Sequence, residues 1–120
     1  MSADATVRTG AALPSNDGPL HALHPASELL RALAAPVRLG ILQELAKGGR
    51  RVHELVAALE VSQPLVSQHL RVLRAAHIVV TRRIAREIEY SLVDDHIAHI
   101  VLDAIRHTAE SPDESAPPSR

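Results

Sequence analysis

The chain has 120 residues, enough for one domain with a core, and its 46% hydrophobic content includes one Tyr and no Phe or Trp, so packing must rest on Leu, Val, Ile and Ala, as suits closely spaced helices. Cysteine is absent, which excludes disulfides, thiolate metal sites and cysteine nucleophiles; no apolar run resembles a signal sequence or could span a bilayer, so a cytoplasmic location without a membrane partner is expected. The formal charge of -1 conceals an uneven distribution: Lys47 to Tyr90 carries eight Lys/Arg against four Glu, whereas from Asp94 onward six acids face only Arg106 and Arg120, a basic middle and an acidic end with separate tasks.

Residues 1–24 hold Gly10, Pro14, Gly18 and Pro19 without a sustained period and are expected to form a disordered N-terminal arm; residues 111–120 are expected to form a disordered tail, leaving 25–110 as the folded domain. Pro25 opens a first helix with Leu29, Leu30, Leu33 and Ala34 at three- and four-residue spacing. Pro36 interrupts it. A second helix runs through Val37, Ile41, Leu42 and Leu45 and ends at Gly48 and Gly49. A third, short helix is expected from about Val52 to Leu59. Ser62 then caps a fourth, with Pro64 in its first turn and Leu65, Val66, His69, Leu70, Leu73 and Ala76 along it. Two short helices joined by a tight turn, the second capped, make a helix-turn-helix.

After the fourth helix the period drops to two. Ile78 to Arg83 and Glu87 to Leu92 predict a half-buried hairpin, with Arg82, Arg83 and Arg86 flanking its tip. A helix-turn-helix followed by a basic hairpin is a winged helix, here mainly α with the order α-α-α-α-β-β-α. The last helix is expected over 94–110, capped by Asp94 or Asp95, with Ile97, Ile100, Val101, Ala104 and Ile105 as its apolar stripe.

If Leu65, Val66, Leu70 and Leu73 face the core, the fourth helix leaves Gln63, Ser67, Gln68, Arg71 and Arg74 for the major groove of double-stranded DNA. Gln63 and Gln68 can bond an adenine edge, Arg71 can reach guanine or phosphate, and the Ser62 and Ser67 hydroxyls suit short contacts near the helix start. Arg82, Arg83 and Arg86 of the wing add phosphate contacts.

The last helix carries a second constellation. Asp94, His96, His107 and Glu110 offer two imidazoles and two carboxylates, a donor set suited to tetrahedral Zn(II), with Co(II) close behind. The eleven positions from His96 to His107 correspond to about 16 Å of helical rise, too far for one ion. Two copies packed antiparallel about a two-fold axis near Val101 and Leu102 would join the 94/96 end of one helix to the 107/110 end of the other and give two equivalent sites in a homodimer. His21 and His24 could add ligands for Ni(II) or Co(II), and His96, His99 and Asp103 could form a partial site within one chain.

Leu33-Ala34-Ala35-Pro36-Val37-Arg38, the run from Val66 to Arg74, Tyr90-Ser91-Leu92 and Asp94-Asp95-His96 resemble the ArsR/SmtB family of metal-responsive transcriptional repressors, over roughly residues 27–110. The resemblance implies a winged-helix homodimer that occupies operator DNA and leaves it when metal binds, and the final helix is similar to that of the zinc-sensing branch. It further implies an allosteric link from the ligand His107 toward the backbone near His77, at the end of the recognition helix. Two departures bear on geometry: where the family has Gly after the fourth helix and at the hairpin tip, this chain has His77 and Ala85, which then need an unusual backbone or a different turn. Arg51-Val52-His53-Glu54-Leu55 occupies the place where arsenite, cadmium and lead sensors carry cysteines, so the soft-metal branch does not apply. An enzyme is not expected, since four protein ligands leave a metal no open position; a winged-helix regulator with a non-metal effector is the remaining rival.

Overall fold

Proline and capping residues set the helix boundaries. A computed structural model describes residues 18–110 of the chain. A 3-10 turn at His21–Leu23 leads into α1 (His24–Leu33), followed by α2 (Pro36–Leu45), β1 (Arg50–Arg51), α3 (Val52–Leu59), α4 (Gln63–Ala75), β2 (Val79–Ile84), β3 (Glu87–Leu92) and α5 (Asp95–Ala109). Residues 1–17 and the tail expected at 111–120 lie outside the described residues. The first helix begins at His24, one residue before Pro25. Internal contacts divide the chain into two units, one ending at Arg31 and one beginning at Ala32; α4, the wing and α5 lie in the second.

The core of that unit is aliphatic, as the composition requires. Ile41, Leu42 and Leu45 of α2, Leu55 of α3, Val66, Leu70 and Leu73 of α4, and Ile97 and Val101 of α5 are buried together with Ile78 and Val79, and no polar side chain among the described residues is buried with them. Helix α2 is the hub, packed against α3, α4 and α5. At the start of α3 the Arg51 backbone N–H donates to Glu54 Oε1 at 2.8 Å, a bond that satisfies an orphan helix-terminal donor and holds the Glu54 carboxyl below the ordinary carboxylate range.

Helix α4 is closed at both ends. Ser62 Oγ accepts from the Leu65 N–H at 3.3 Å, and Pro64 sits in the first turn. At the far end His77 N–H donates to the Arg74 carbonyl and Ile78 N–H to the Leu73 carbonyl, both at 3.0 Å. This pair of bonds is a Schellman closure, with Ile78 and Leu73 supplying its buried apolar contact. Such a closure puts a left-handed residue just after the cap. His77 takes that place with φ 61°.

The hairpin departs from the sequence expectation in one respect: it is a three-stranded sheet ordered β1-β3-β2. Arg50 pairs with Tyr90 and Arg51 with Glu89, a strand that two charged residues could not announce by periodicity. The observed order is therefore α-α-β-α-α-β-β-α. The tip is a two-residue loop between Ile84 and Glu87 in which Ala85 has φ 57°, so the position where the family has Gly keeps the backbone that favours Gly. A left-handed conformation costs an L-residue about 1–2 kcal/mol, partly offset by the lower chain entropy of Ala when unfolded. Ala85→Gly should raise stability by about 0.5–1 kcal/mol in urea denaturation; a lower midpoint would contradict the strain.

Candidate metal centre and DNA-reading face

Helix α5 separates its two faces cleanly. Ile97 and Val101 point into the core, with Ala98, Leu102 and Ile105 half-buried beside them. His96, Ile100, Asp103 and His107, at spacings of four, three and four, form the exposed stripe on the opposite side. Of the apolar stripe read from the sequence, Ile100 and Ala104 are exposed within the single chain. Val101 is 1% exposed within its own chain and Leu102 beside it is half-buried, whereas Ile100, at 36%, is an apolar residue near mid-height on the open face.

Asp94 is the helix cap: its Oδ1 accepts from the Ile97 N–H at 3.2 Å. Its other oxygen, Oδ2, lies 3.6 Å from His96 Nδ1, and His96 is 88% exposed. One donor pair is thus assembled at the start of α5. His107 lies in its last turn and Glu110 follows as the C-terminal cap residue with an extended backbone, both exposed. The two pairs occupy opposite ends of the helix. Among the described residues, no group of three or more His, Asp or Glu within one chain is placed to hold a metal. The rival set of His96, His99 and Asp103 is not gathered either, and Asp103 Oδ1 accepts from Arg106 at 3.1 Å. The donor chemistry fits zinc: imidazole and carboxylate groups, exposed, on a face that the core does not claim.

On α4, Gln63, Ser67, Arg71 and Arg74 recur at spacings of four, four and three and form one stripe with Gln68 beside it; all are exposed except Ser67, which is half-buried. Ser62 is committed to the cap. Of the wing arginines, Arg82 donates to Glu89 Oε1 at 3.2 Å, whereas Arg83 and Arg86 make no ion pair among the described residues. The same sheet face carries Arg51, whose Nε lies 2.6 Å from Glu87 Oε1. Sequence reasoning missed this neutralisation, although a two-residue tip at 85–86 already implies the Arg82–Glu89 register. No hydrogen bond among the described residues joins His107 to the His77 backbone within one chain.

Comparison with known proteins bears on both faces. Residues 35–81, covering α2 to the start of the wing, match the family described as "Bacterial regulatory protein, arsR family". The chain is 58% identical over 92 residues to the HTH-type transcriptional repressor SmtB of Mycobacterium tuberculosis strain H37Rv, an alignment covering 77% of this chain and 68% of that one. It belongs to the ArsR/SmtB family of transcriptional repressors. Among solved structures, the transcriptional repressor BigR from Xylella fastidiosa superposes with a TM-score of 0.69 at 32% identity, over 82% of this chain and 99% of that one. A homodimeric winged helix-turn-helix DNA-binding domain from Mycobacterium bovis superposes with a TM-score of 0.72 over 86% and 95% of the two chains, at 23% identity. The fold of the family is the winged helix-turn-helix, and its members are DNA-binding regulators of transcription. Among the described residues no helix is long and apolar enough to cross a membrane.

Proposed function

We propose that the protein is a zinc-responsive repressor: a homodimer that holds operator DNA through α4 and the wing and releases it when zinc occupies two sites between paired α5 helices. The observation that carries this reading is the open face of α5, where Asp94 and His96 stand together 3.6 Å apart at one end while His107 and Glu110 stand at the other. Each pair is half of a four-donor set, and an antiparallel partner supplies the other half.

Asp94 Oδ1 caps α5 while its Oδ2 stands 3.6 Å from His96, so this donor pair sits on a capped first turn. Ile100 provides an apolar contact close to the symmetry axis. A zinc ion held there supplies a closed four-coordinate link between protomers. The orientation of the two α5 helices determines the separation of the two α4 helices, and operator half-sites tolerate only one separation. His107, through its nitrogen not used as a ligand, is suited to donate toward the carbonyl of His77, where the Schellman closure ends the reading helix. The resemblance to metal-responsive repressors supports a metal effector; the choice of zinc rests on the absence of thiolates and the two-His, two-carboxylate set. A nickel or cobalt regulator would draw on His21 and His24, whose rings stack with centroids 6.4 Å apart, and their replacement should leave a zinc response intact.

The test is binding of a duplex selected by the apo protein from random sequences, followed by fluorescence anisotropy with and without zinc. Zinc should weaken the complex by about 5- to 150-fold, the usual range of allosteric coupling, and DNA should weaken zinc binding by the same factor. Equal affinities would end the proposal.

A further inference from the structure

Arg38 and His69, on α2 and α4, are joined across 31 positions of sequence. Arg38 Nη1 lies 3.1 Å from His69 Nδ1, both side chains being half-buried. Arg38 Nε donates to the Ala32 carbonyl at 2.7 Å. A guanidinium carries five donors and no acceptor, so His69 Nδ1 must present its lone pair to it, and the tautomer of the ring is set. Ala32 lies in the last turn of α1, whose carbonyls have no partner within the helix. Its bond anchors the guanidinium, which then meets His69 as a preorganised donor.

The rest of the grip on α4 is of another kind. Val66, Leu70 and Leu73 bury its inner face, and apolar contact is non-directional; it resists removal of the helix more than a small rotation about its axis. His69 sits at the flank of that face, on the side of the helix away from Ser67, Arg71 and Arg74. A charge-assisted bond there is directional. It opposes rotation of the helix, and rotation changes which edge of a base pair Gln68 and Arg71 can meet.

We infer that Arg38 and His69 form a positioning pair that sets the rotation of the reading helix and thereby the preference for operator over other DNA. The pair touches no nucleotide. The inference rests on the proposal that α4 reads the operator, and it is independent of metal.

The experiment compares operator and scrambled duplexes in anisotropy titrations at one salt concentration, with thermal midpoints recorded for each variant. His69→Leu removes the acceptor and should lower the operator-to-scrambled affinity ratio about tenfold, with scrambled affinity unchanged within about twofold because phosphate contacts are rotation-tolerant. His69→Asn, whose Oδ1 falls near the place of Nδ1, should restore the ratio. Arg38→Met should match His69→Leu, and the double variant should be no worse than either single one. If His69→Leu fails to fold, Arg38→Lys serves instead, since one nitrogen must then reach both acceptors. An unchanged ratio, an Asn variant as impaired as Leu, or equal losses on both duplexes that follow the thermal midpoint would each overturn the pair. Arg71→Ala is run alongside: if it too leaves operator binding intact, the assignment of α4 as the reader has failed rather than the pair.

Discussion

Mixing two inactive variants should restore zinc binding. His96→Ala removes the amino-terminal donor pair's imidazole from both sites of a homodimer, and His107→Ala removes the carboxy-terminal one, so each variant alone should lose tight zinc binding and the zinc effect on DNA. In a mixed dimer, one site combines both substitutions and the other combines none, because the intact His96 comes from one protomer and the intact His107 from its partner. Equal mixtures, co-refolded, should therefore regain one full site in about half of the dimers, the statistical share of mixed pairs. Loss of one ligand typically costs metal affinity by orders of magnitude, since a three-ligand site is completed by water. Isothermal titration of the mixture measures the recovered stoichiometry. No recovery in demonstrably mixed dimers would show that each chain builds its own site, and full zinc affinity in either variant alone would show that the replaced His is no ligand; either result would remove the basis of the shared centre. Operator binding without metal should persist in both variants, which separates loss of sensing from loss of fold.

The second large effect is expected on α4. Arg71 stands in the middle of the exposed stripe with Ser67 and Arg74 on either side, and its guanidinium can bond guanine in two places at once. Arg71→Ala should cost about 1–3 kcal/mol of operator affinity and relax the base preference at one position. The wing should behave differently. If Arg83 and Arg86 contact phosphate, as the proposed function requires, replacing either by Ala should weaken all sequences alike and reduce the slope of log K against log salt by about 0.9. Arg82 is already held 3.2 Å from Glu89, and although such an exposed pair contributes little to stability, it leaves less charge for DNA. The change in slope for Arg82→Ala should be smaller than for its neighbours. Salt titrations of the three variants measure this order; a uniform loss at all three positions would mean that Glu89 yields Arg82 to the duplex without resistance.

The features that were legible along the chain are those governed by residues within about four positions of one another. Ser62 and Asp94 each stand three residues before the N–H they accept from, Pro36 and Pro64 sit at helix starts, and the alternation of Ile88, Tyr90 and Leu92 marks a strand. The capped helix pair and the hairpin behind it gave the winged helix, and family resemblance agreed with it. The sequence also shows that the proposed metal donors fall into two pairs too far apart for one ion, because helical rise per residue is a constant.

Other features required the folded chain. Periodicity assigns Ile100 and Val101 to one apolar stripe, yet of these two only Val101 is buried within the chain, because the position of α2 and β3 beside α5, and not its own hydrophobicity, selects the inner face. The strand at Arg50–Arg51 exists only because β3 passes alongside it. Likewise Arg38 and His69 are a meaningless pair in sequence until α2 and α4 cross. By itself the sequence determined the helices, their caps, the hairpin and the chemistry of the donor set, all of which follow from short-range backbone and side-chain rules. Only the tertiary structure decided which face of α5 stays open, which arginines of the wing are already paired and what holds the reading helix in place, because each depends on groups brought together from distant parts of the chain.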